Sequence, residues 1–352
     1  MSEARRRGLR VADTDDKGRC VMVRTVRFHE LGGPEVLRLE DVEVGEPGPG
    51  ELVIRVEAIG LNRAEVLFRS GHYIEPVKEF PARLGTEAAG VVEAVGANVA
   101  GFEADQPVSV IPAFSMNDYG VYAERVIVPA SAVLRRPDGL GAVEGAAVWM
   151  PYLTAYGALV DVGGMRAGDT VVLTAASSSV GLAAIRIAHR VGAVPIATTR
   201  TRVKAERLRK AGAAEVIVTD EEDVAQRVLG LTAGRGAELV FDAIAGPGVV
   251  ELAKAVAPGG TLLLYGALSG EVTPYPGFEL GMPALNMRTY TVTHETTNDP
   301  ERLRRAAAFV SSGLRSGAFE PAVDRVFGLD EIVEAHRYLE AGAQVGKIVV
   351  TV

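Results

Sequence analysis

Residues 170–204 constrain the fold of this chain more than any other segment. They read TVVLTAASSSVGLAAIRIAHRVGAVPIATTRTRVK: a short apolar run, a cluster of small residues, a helical apolar pattern and a second apolar run. This order predicts strand, tight turn, helix and strand, which is one βαβ unit. The helix start in such a unit favours a phosphate, because free amides and the helix dipole face it. The segment therefore predicts a dinucleotide-binding turn.

The turn lacks the usual glycine pattern G-x-G-x-x-G. Ser177 and Ser179 stand where glycines are expected, in the run AASSSVG. Small residues also occur where a helix simply packs close to a sheet. The turn by itself leaves both interpretations open.

Composition narrows the classes of function. The 352 residues suggest two domains or one large domain, and 48% hydrophobic with 23% charged residues is typical of a globular protein. The formal net charge of -8 argues against nonspecific nucleic-acid binding. No apolar run approaches the roughly 18–20 residues of a membrane span. We therefore expect neither a nucleic-acid partner nor a membrane partner.

The N-terminal segment and the cysteine content bear on localisation. Residues 1–21 are charged and lack an apolar central run, so we expect no secretory signal but a disordered extension, or a gene start placed too early with Met22 as the first residue. Cys20 is the only cysteine, which excludes an intramolecular disulfide and a cysteine-based zinc site. This usage suits the reducing cytoplasm.

The pattern of elements changes along the chain. Alternating apolar residues predict strands in the first 130 residues, at 23–28, 51–58, 88–95, 106–111 and 122–128. This region reads as a twisted antiparallel or barrel-like domain.

From about residue 144, strands and helices alternate, which predicts a doubly wound parallel sheet. Further strands are expected at 216–218, 238–242 and 261–265, with helices at 223–229 and 249–256 and a turn at 258–260. Residues 289–293 (TYTVT) alternate like an exposed edge strand, which invites pairing with a second copy. A helix from about residue 300 and a strand at 347–352 are expected to return to the first domain.

Several ordered motifs together resemble the medium-chain dehydrogenase/reductase superfamily, specifically its zinc-independent quinone oxidoreductase and enoyl reductase branch. The matching motifs run from about residue 23 to the end of the chain: GGPEVL at 32–37, GLNRAE at 60–65, RSGHY at 69–73, GTEAAGVV at 85–92, LTAY at 153–156, the 175–181 turn, KA at 204–205 and GKIV at 346–349. The resemblance implies an α/β protein with a GroES-like β-barrel catalytic domain, residues 22–145 and 296–352, and a Rossmann NADPH-binding domain, residues 146–295. It also implies a homodimer.

Zinc alcohol dehydrogenases of the same superfamily hold a catalytic zinc with cysteine, histidine and cysteine. The resemblance places Asn62, Thr86 and Met150 at these three positions. None of them supplies the thiolate or imidazole that zinc favours. The four-cysteine structural lobe is missing as well, so we expect no metal.

The end of the second strand predicts which nicotinamide cofactor binds. An NAD site usually has an acidic residue there, which bonds the ribose hydroxyls. Here the strand ends in Thr198, Thr199 and Arg200, with Arg202 and Lys204 close behind. Cationic side chains suit a 2′-phosphate, and they are disfavoured at a helix start without an anion, although a solvated helix start is the alternative. We predict NADPH, and in the family the lysine that matches Lys204 contacts the 2′-phosphate.

The resemblance also supplies candidate site residues. Tyr73 is the first catalytic candidate, since a phenol can donate a proton or a hydrogen bond to a carbonyl oxygen, although it also reads as an ordinary half-buried aromatic. Asn62 is the second, because its amide can bond a substrate oxygen or the nicotinamide ribose. The predicted cofactor-binding set is Asn62, Thr154, Ser177, Ser178, Ser179, Val180, Thr199, Arg200, Lys204, Gly266 and Lys347. The serine hydroxyls are expected to bond pyrophosphate oxygens.

Three functions remain open from the sequence. The leading hypothesis is a zinc-independent NADPH-dependent reductase that sends hydride to a quinone or an α,β-unsaturated carbonyl, with a small apolar carbonyl compound or quinone as substrate. The second is zinc-free alcohol or carbonyl oxidoreduction. The third is a noncatalytic NADPH-binding redox sensor.

Overall fold

A computed structural model describes residues 21–282 and 284–352 of the chain. The predicted extension, residues 1–21, lies outside these residues except for Val21, which begins the first strand. The chain folds into two compact units. The first unit includes residues up to Ala147, Arg325–Ala343 and Ile348–Val352, and the second includes Val148–Asp324 and Gln344–Lys347.

Sixteen strands lie in the described part of the chain. They are β1 Val21–Phe28, β2 Leu37–Val44, β3 Glu51–Gly60, β4 Ala82–Arg83, β5 Ala88–Val95, β6 Pro107–Val110, β7 Arg125–Pro129, β8 Val133–Arg135, β9 Thr170–Leu173, β10 Val194–Thr199, β11 Glu215–Val218, β12 Ala237–Asp242, β13 Val256–Leu264, β14 Asn286–Thr289, β15 Val323–Gly328 and β16 Lys347–Thr351.

Eight α-helices connect these strands in the same residues. They are α1 Arg63–Arg69, α2 Ala142–Tyr156, α3 Ser179–Val191, α4 Ala205–Lys210, α5 Val224–Leu231, α6 Val249–Ala253, α7 Pro300–Arg315 and α8 Ile332–Ala341. Short π-helical turns follow α2 and precede α7, at Gly157–Val162 and Thr293–Thr297.

The first unit is built on antiparallel strands. One sheet has the order β2-β1-β4, and the other has the order β15-β16-β3-β5-β6-β8, with β7 also paired to β3. Strand β3 is central: it pairs antiparallel with β5, β7 and β16, and Leu52, Ile54 and Val56 are buried. Inward apolar residues of these strands form one core with those of α1 and α8. The barrel-like, GroES-like prediction for this part of the chain is confirmed.

The second unit is a doubly wound parallel sheet with the order β11-β10-β9-β12-β13-β14. Every pairing in it is parallel. The central strands β9 and β12 read as near-continuous apolar runs because both faces of such a sheet are covered by helices. The predicted Rossmann fold is confirmed, and its strand order reverses between β9 and β12, where such sheets bind ligands.

Two local predictions about this sheet were wrong. The edge strand is β14, Asn286–Thr289, and not residues 289–293, because Tyr290 is buried and the chain then turns into the helical Thr293–Thr297 segment. Residues 258–260, predicted as a turn, lie within β13, whose pairing with β12 shifts register between Ala237 and Leu239. A bulge accommodates the extra proline and glycines there.

The second unit also extends further than residue 295, where we placed its end. Helix α7 belongs to it because Arg190, at the end of α3, donates to the hydroxyls of Ser312 and Ser316. The Arg190 guanidinium lies 5.4 Å from the centre of the Phe309 ring and 5.5 Å from that of Phe319. The chain enters the first unit at Arg325, and residues 344–347 belong again to the second.

Candidate cofactor and acceptor sites

The turn after β9 is fixed by close contact between backbone segments. Ala175 has φ of +45°, a left-handed conformation that non-glycine residues seldom adopt. A Cβ atom on Gly181 would lie 2.5 Å from the Cα and carbonyl oxygen of Ala176. Gly181 therefore permits the close packing of α3 on the turn that a dinucleotide site requires, although two of the expected glycines are serines.

Ser178 caps α3. Its hydroxyl accepts from the Gly181 amide at 3.1 Å, and its backbone is extended, as expected at an N-cap. The first helical bond runs from the Leu182 amide to the Ser178 carbonyl, so the amides of Ser179 and Val180 have no acceptor within the helix. The first turn carries no acidic residue. The helix start thus presents amides and positive dipole charge, which fit a phosphate.

The three serines do not share one role. The Ser178 hydroxyl oxygen accepts from Gly181 within the helix, and its O–H remains a donor, so its bond to pyrophosphate stays a prediction. Ser177 accepts a bond from Gly346 N at its carbonyl, 2.9 Å, and its hydroxyl lies 3.5 Å from Lys204 Nζ. Ser179 is the first helical residue. Of the three serines, Ser178 therefore caps the helix, Ser177 contacts Lys204 and Ser179 begins the helix.

A buried pair beneath the turn was missed by the sequence analysis. Thr174 Oγ1 donates to Asp242 Oδ1 at 2.5 Å and accepts from the Ala243 amide at 2.9 Å. The Asp242 carboxylate also accepts from the Ile244 and Ala245 amides. This pair ties the end of β9 to the end of β12. The signal was present in the sequence, because each residue ends or directly follows a buried strand.

Lys204 is the cation best placed beside the turn. Its ammonium donates to the Gln344 carbonyl at 2.9 Å and reaches Ser177, so it links the turn to segment 344–347. Burial lowers the Lys204 pKa from its ordinary value, and the nearby Arg200 guanidinium lowers it further. Because the positive charges of Lys204 and Arg200 repel each other, binding of an anion such as a 2′-phosphate beside them is favoured.

The other basic residues differ. Thr199, at the end of β10, is buried, and Arg200 is exposed beside Lys204. Arg202 forms an exposed ion pair with Glu221 at 2.5 Å. Arg202 therefore fits the alternative interpretation of a solvated basic residue at a helix start, whereas Lys204 does not.

Three more predicted cofactor residues lie in the second unit. Gly266 follows β13, where a Cβ would lie 2.7 Å from the Ala243 carbonyl, so only glycine fits without a shift. Lys347 is buried with 1% exposure at the start of β16. Thr154 is buried, and its hydroxyl donates to the Met150 carbonyl of its own helix at 2.6 Å. Gly181 and Gly266 both pack against backbone where a Cβ would collide, and this close backbone packing, with Lys204 beside the turn, fits a bound dinucleotide phosphate.

In the first unit, Asn62 begins α1. Its backbone amide donates to Glu65 Oε2 at 2.6 Å, and its side-chain Nδ2 donates to the Gly60 carbonyl at 3.1 Å. The Glu65 carboxylate is fully buried and also accepts from the Thr86 amide and hydroxyl, at 3.2 and 2.8 Å. Glu65 was missed, although Asn-x-x-Glu before an apolar run is the spacing of a capping box.

Tyr73 lies in the same unit, in the loop that follows α1. Its ring packs edge-on against Phe68, with centroids 6.1 Å apart. Burial raises the pKa of Tyr73 to about 12, and the carboxylates of Glu65 and Glu75 add to the rise. The phenol is therefore neutral and a hydrogen-bond donor at ordinary pH.

The positions that match zinc ligands do not fit zinc. Thr86 donates its hydroxyl to Glu65, and Asn62 turns its amide nitrogen toward Gly60. Met150 offers only a thioether. Among residues 21–282 and 284–352, no three His, Cys, Asp or Glu side chains form a group that could hold a metal ion.

Comparisons with known proteins agree with this architecture. Residues 48–138 match the model of the alcohol dehydrogenase GroES-like domain, and residues 179–312 match that of the zinc-binding dehydrogenase. The quinone oxidoreductase of Pseudomonas aeruginosa is 34% identical over 332 residues, which cover 93% of this chain and 99% of that protein. The chain belongs to the medium-chain dehydrogenase/reductase superfamily, in its quinone oxidoreductase branch.

Two further relatives of this superfamily member are informative. The crystal structure of Escherichia coli quinone oxidoreductase complexed with NADPH has a TM-score of 0.87 at 28% identity and covers 94% of this chain and 100% of its own. A 2-haloacrylate reductase from Burkholderia sp is 29% identical and covers 93% of this chain and 98% of its own length. Within the described residues of this chain, no helix is both long and apolar enough to cross a bilayer.

Each unit therefore brings part of the predicted set together. The second unit groups Ser177, Lys204 and segment 344–347, with Arg200 near enough to shift the Lys204 pKa. The first unit groups Asn62 and Thr86 around Glu65, which also perturbs Tyr73. The Thr154 hydroxyl donates to the Met150 carbonyl within its own helix.

Proposed function

We propose that this protein is an NADPH-dependent oxidoreductase that reduces a quinone or an α,β-unsaturated carbonyl compound without a catalytic metal. The observation that carries the proposal is the acid-free start of α3 with Lys204 beside it. The quinone oxidoreductase relatives, one of them solved with NADPH, support the same cofactor and reaction class.

The preference for NADPH over NADH follows from the end of β10. No acidic residue stands there to bond both ribose hydroxyls, since Thr199 is followed by Arg200. Lys204 and Arg200 supply positive charge that a 2′-phosphate neutralises. We expect Ser179, Val180 and Gly266 to approach the pyrophosphate through their backbone.

When bound, NADPH supplies the hydride. The task left to the protein is to bind the acceptor and stabilise the charge that develops on its oxygen. We assign this to Tyr73, whose neutral phenol donates a hydrogen bond to that oxygen and then its proton. Asn62 orients the start of α1, and its amide nitrogen donates to both the Gly60 carbonyl and Glu65 Oε1, which makes a further role as donor to the substrate unfavourable.

The absence of a catalytic zinc is part of the proposal. Asn62, Thr86 and Met150 offer an amide, a hydroxyl and a thioether, none of which is a usual zinc ligand. Activity should therefore survive dialysis against a chelator unchanged. Inhibition by the chelator that zinc reverses would contradict this part.

The proposal is tested by following NADPH oxidation with matched acceptors. We expect turnover with 1,4-benzoquinone or methyl vinyl ketone, and at least tenfold lower kcat/KM with NADH. Turnover of saturated ketones alone would support carbonyl oxidoreduction instead. Tight NADPH binding without turnover of any acceptor would support a redox sensor.

The role of Tyr73 is tested by Tyr73→Phe. Loss of a general acid should lower kcat by roughly 10²-fold, with the dissociation constant for NADPH unchanged. Tyr338→Phe is the matched control, since Tyr338 is also half-buried in the first unit and its ring packs against Phe327, away from the Tyr73 loop. Because the Tyr73 pKa is about 12, the phenol keeps its proton up to that pH, so the kcat profile should show no basic limb from Tyr73 at pH 7–10. An unchanged kcat in Tyr73→Phe would contradict the assignment.

We also propose a homodimer in the cytoplasm. Strand β14 is the edge of the second unit's sheet, and the segment before it exposes apolar side chains, with Phe278 88% and Met282 69% exposed. An unpaired edge flanked by apolar surface favours pairing with its own copy. A monomeric mass by light scattering at micromolar concentration would contradict the dimer. The cytoplasmic assignment rests on the single cysteine.

A further inference from the structure

The loop that carries Tyr73, residues 71–81, is held in place by a second loop, residues 113–119. The Lys78 amide donates to Asn117 Oδ1 at 2.9 Å, and Asn117 Nδ2 donates to the Pro76 carbonyl at 3.0 Å. The Ser115 hydroxyl donates to the Glu75 carboxylate. The Glu75 carboxylate is thereby fixed two residues from Tyr73.

The charges on these two loops are mostly negative. Glu75, Glu79 and Asp118 are acidic, and Lys78 is the basic residue of the two segments. The Lys78 ammonium is 3.8 Å from Asp118, so its charge is offset there. His72, at the start of the first loop, contacts the Ser70 hydroxyl at 3.2 Å. The two loops therefore carry a net negative charge.

A further carboxylate, Glu65, lies in α1, the helix whose Phe68 packs against Tyr73. Glu65 is fully buried and accepts hydrogen bonds from Asn62 and Thr86. Glu65 lies one helical turn before Phe68, and Glu75 lies two residues after Tyr73. In keeping with these positions, both carboxylates raise the Tyr73 pKa, after burial. Tyr73 thus lies near one carboxylate on its own loop and another on α1.

We infer that the acceptor site beside Tyr73 selects neutral or cationic acceptors against anionic ones, and that Glu75 carries the adjustable part of this selection. The inference rests on the proposed function, because it requires Tyr73 to face the acceptor. It predicts that carboxylate substrates, such as the 2-haloacrylate for which one relative is named, are poor substrates of this protein.

The expected size follows from Coulomb's law. At an intermediate dielectric, repulsion between an anionic acceptor and a partly exposed carboxylate several ångströms away should lower kcat/KM about tenfold. Such an effect is screened by salt, because the loops lie at the surface. The discrimination should therefore be about tenfold at low ionic strength and smaller at 0.5 M salt.

The test uses three 1,4-naphthoquinones that differ only at the end of a two-methylene side chain: propionamide, propionate and an ethyl trimethylammonium group. The methylenes insulate the ring, so the reactivity of the quinone is matched. We expect kcat/KM with NADPH to be at least as high for the cation as for the amide, and about tenfold lower for the anion. Equal values for all three, or preference for the anion, would overturn the inference and leave the proposed function standing. Turnover of none of the three would overturn both.

Glu75→Gln assigns the residue. Glutamine keeps the size and a partner for Ser115, so we expect the amide-to-anion ratio to fall by about threefold. Glu103→Gln removes one charge from an exposed loop elsewhere in the first unit and should leave the ratio unchanged. If the anion is discriminated against but Glu75→Gln does not shift the ratio, the assignment to Glu75 is wrong. Thermal melting of each variant shows that the fold is intact.

Discussion

Two helix starts carry the predicted site residues, and they are built in opposite ways. Helix α1 begins at a cap closed by its own acid: Glu65 accepts from the Asn62 amide and sits in the first turn. Helix α3 begins at Ser178, has no acid in its first turn, and has Lys204 near the preceding residue. The first start neutralises its own dipole, and the second leaves positive charge for a ligand.

The start of α3 shows how a helix start that has serines in place of two expected glycines can still suit a phosphate. A phosphate site needs unpaired amides and close backbone approach more than it needs a particular motif. At α3, Gly181 is the glycine that allows the helix to pack closely against the backbone of the turn. The Ser178 side chain accepts from one amide of the first turn, and the other amides of that turn are left for a ligand. At α1 the cap is closed by a glutamate of the same helix, so this helix start has a structural role.

The largest effect is expected at Gly181. In Gly181→Ala, the new Cβ lies 2.5 Å from backbone atoms of Ala176, so the turn must move away from α3. We expect the dissociation constant for NADPH, measured by fluorescence titration, to rise about 1,000-fold, or roughly 4 kcal/mol.

Gly230→Ala is its matched control. Gly230 lies in α5, and a Cβ there meets no atom within 4 Å. Alanine is the better helix former, so this variant should melt slightly higher, by up to about 1 kcal/mol, and bind NADPH normally. NADPH binding that is equally strong in Gly181→Ala would show that the turn does not hold the pyrophosphate.

Substitution of Glu65 should lower the stability of the protein and leave NADPH affinity nearly unchanged. Glu65→Ala leaves buried amide and hydroxyl donors of Asn62 and Thr86 without their acceptor, which should cost about 3 kcal/mol of unfolding free energy in urea. NADPH affinity should change little. Glu334→Gln, in the exposed first turn of α8, should cost less than about 0.5 kcal/mol. If Glu65→Ala lost NADPH affinity at unchanged stability, α1 would be a ligand-binding start as well.

Substitution of Lys204 tests whether the start of α3 distinguishes NADPH from NADH. Lys204→Ala should weaken NADPH binding about 30-fold, by removal of a charge-assisted bond to the 2′-phosphate, and NADH binding only about threefold, by loss of the links to Ser177 and Gln344. Arg202→Ala should change neither by more than twofold, since Arg202 is paired with Glu221 on the surface. Equal losses for both cofactors would mean that Lys204 only supports the turn.

The same residue predicts a pH dependence. The Lys204 pKa is lowered from 10.5, so the ammonium loses its charge at a lower pH than an ordinary lysine does. As pH rises toward 10, the preference for NADPH over NADH should decline in the wild type and stay flat in Lys204→Ala. Titrations of both cofactors at pH 7 and pH 9.5 measure this ratio.

Most of the fold was predictable because its signals are local. The apolar runs of β5, β10 and β12 and the helical pattern of α3 fix their elements within a few residues. The failures lie where long-range packing decides. Residues 289–293 alternate like a strand, but burial of Tyr290 ends the strand before them. Helix α7 belongs to the second unit through Arg190, a contact that no local pattern reveals.

The candidate site was predictable in position but not in detail. The sequence located Lys204 and the turn, yet it could not show that Ser178 bonds its own helix or that Arg202 pairs with Glu221. These outcomes depend on which of several possible partners a side chain reaches. Thr174 and Asp242 illustrate the same limit, since their bond joins residues 68 positions apart.

The smallest effect expected, and the sharpest distinction, comes from Ser178. Ser178→Ala removes the cap of α3 and should cost about 1 kcal/mol of stability. NADPH affinity should change by less than about threefold if the backbone amides of α3 hold the phosphate. Ser178→Asp separates the two functions of the same position. Aspartate caps a helix as well as serine does, so the melting temperature should be retained, but its charge opposes a phosphate and should weaken NADPH binding more than about tenfold. If Ser178→Ala instead lost NADPH affinity without loss of stability, the hydroxyl would be a phosphate ligand, and α3 would bind its anion through side chains as well as through its amides.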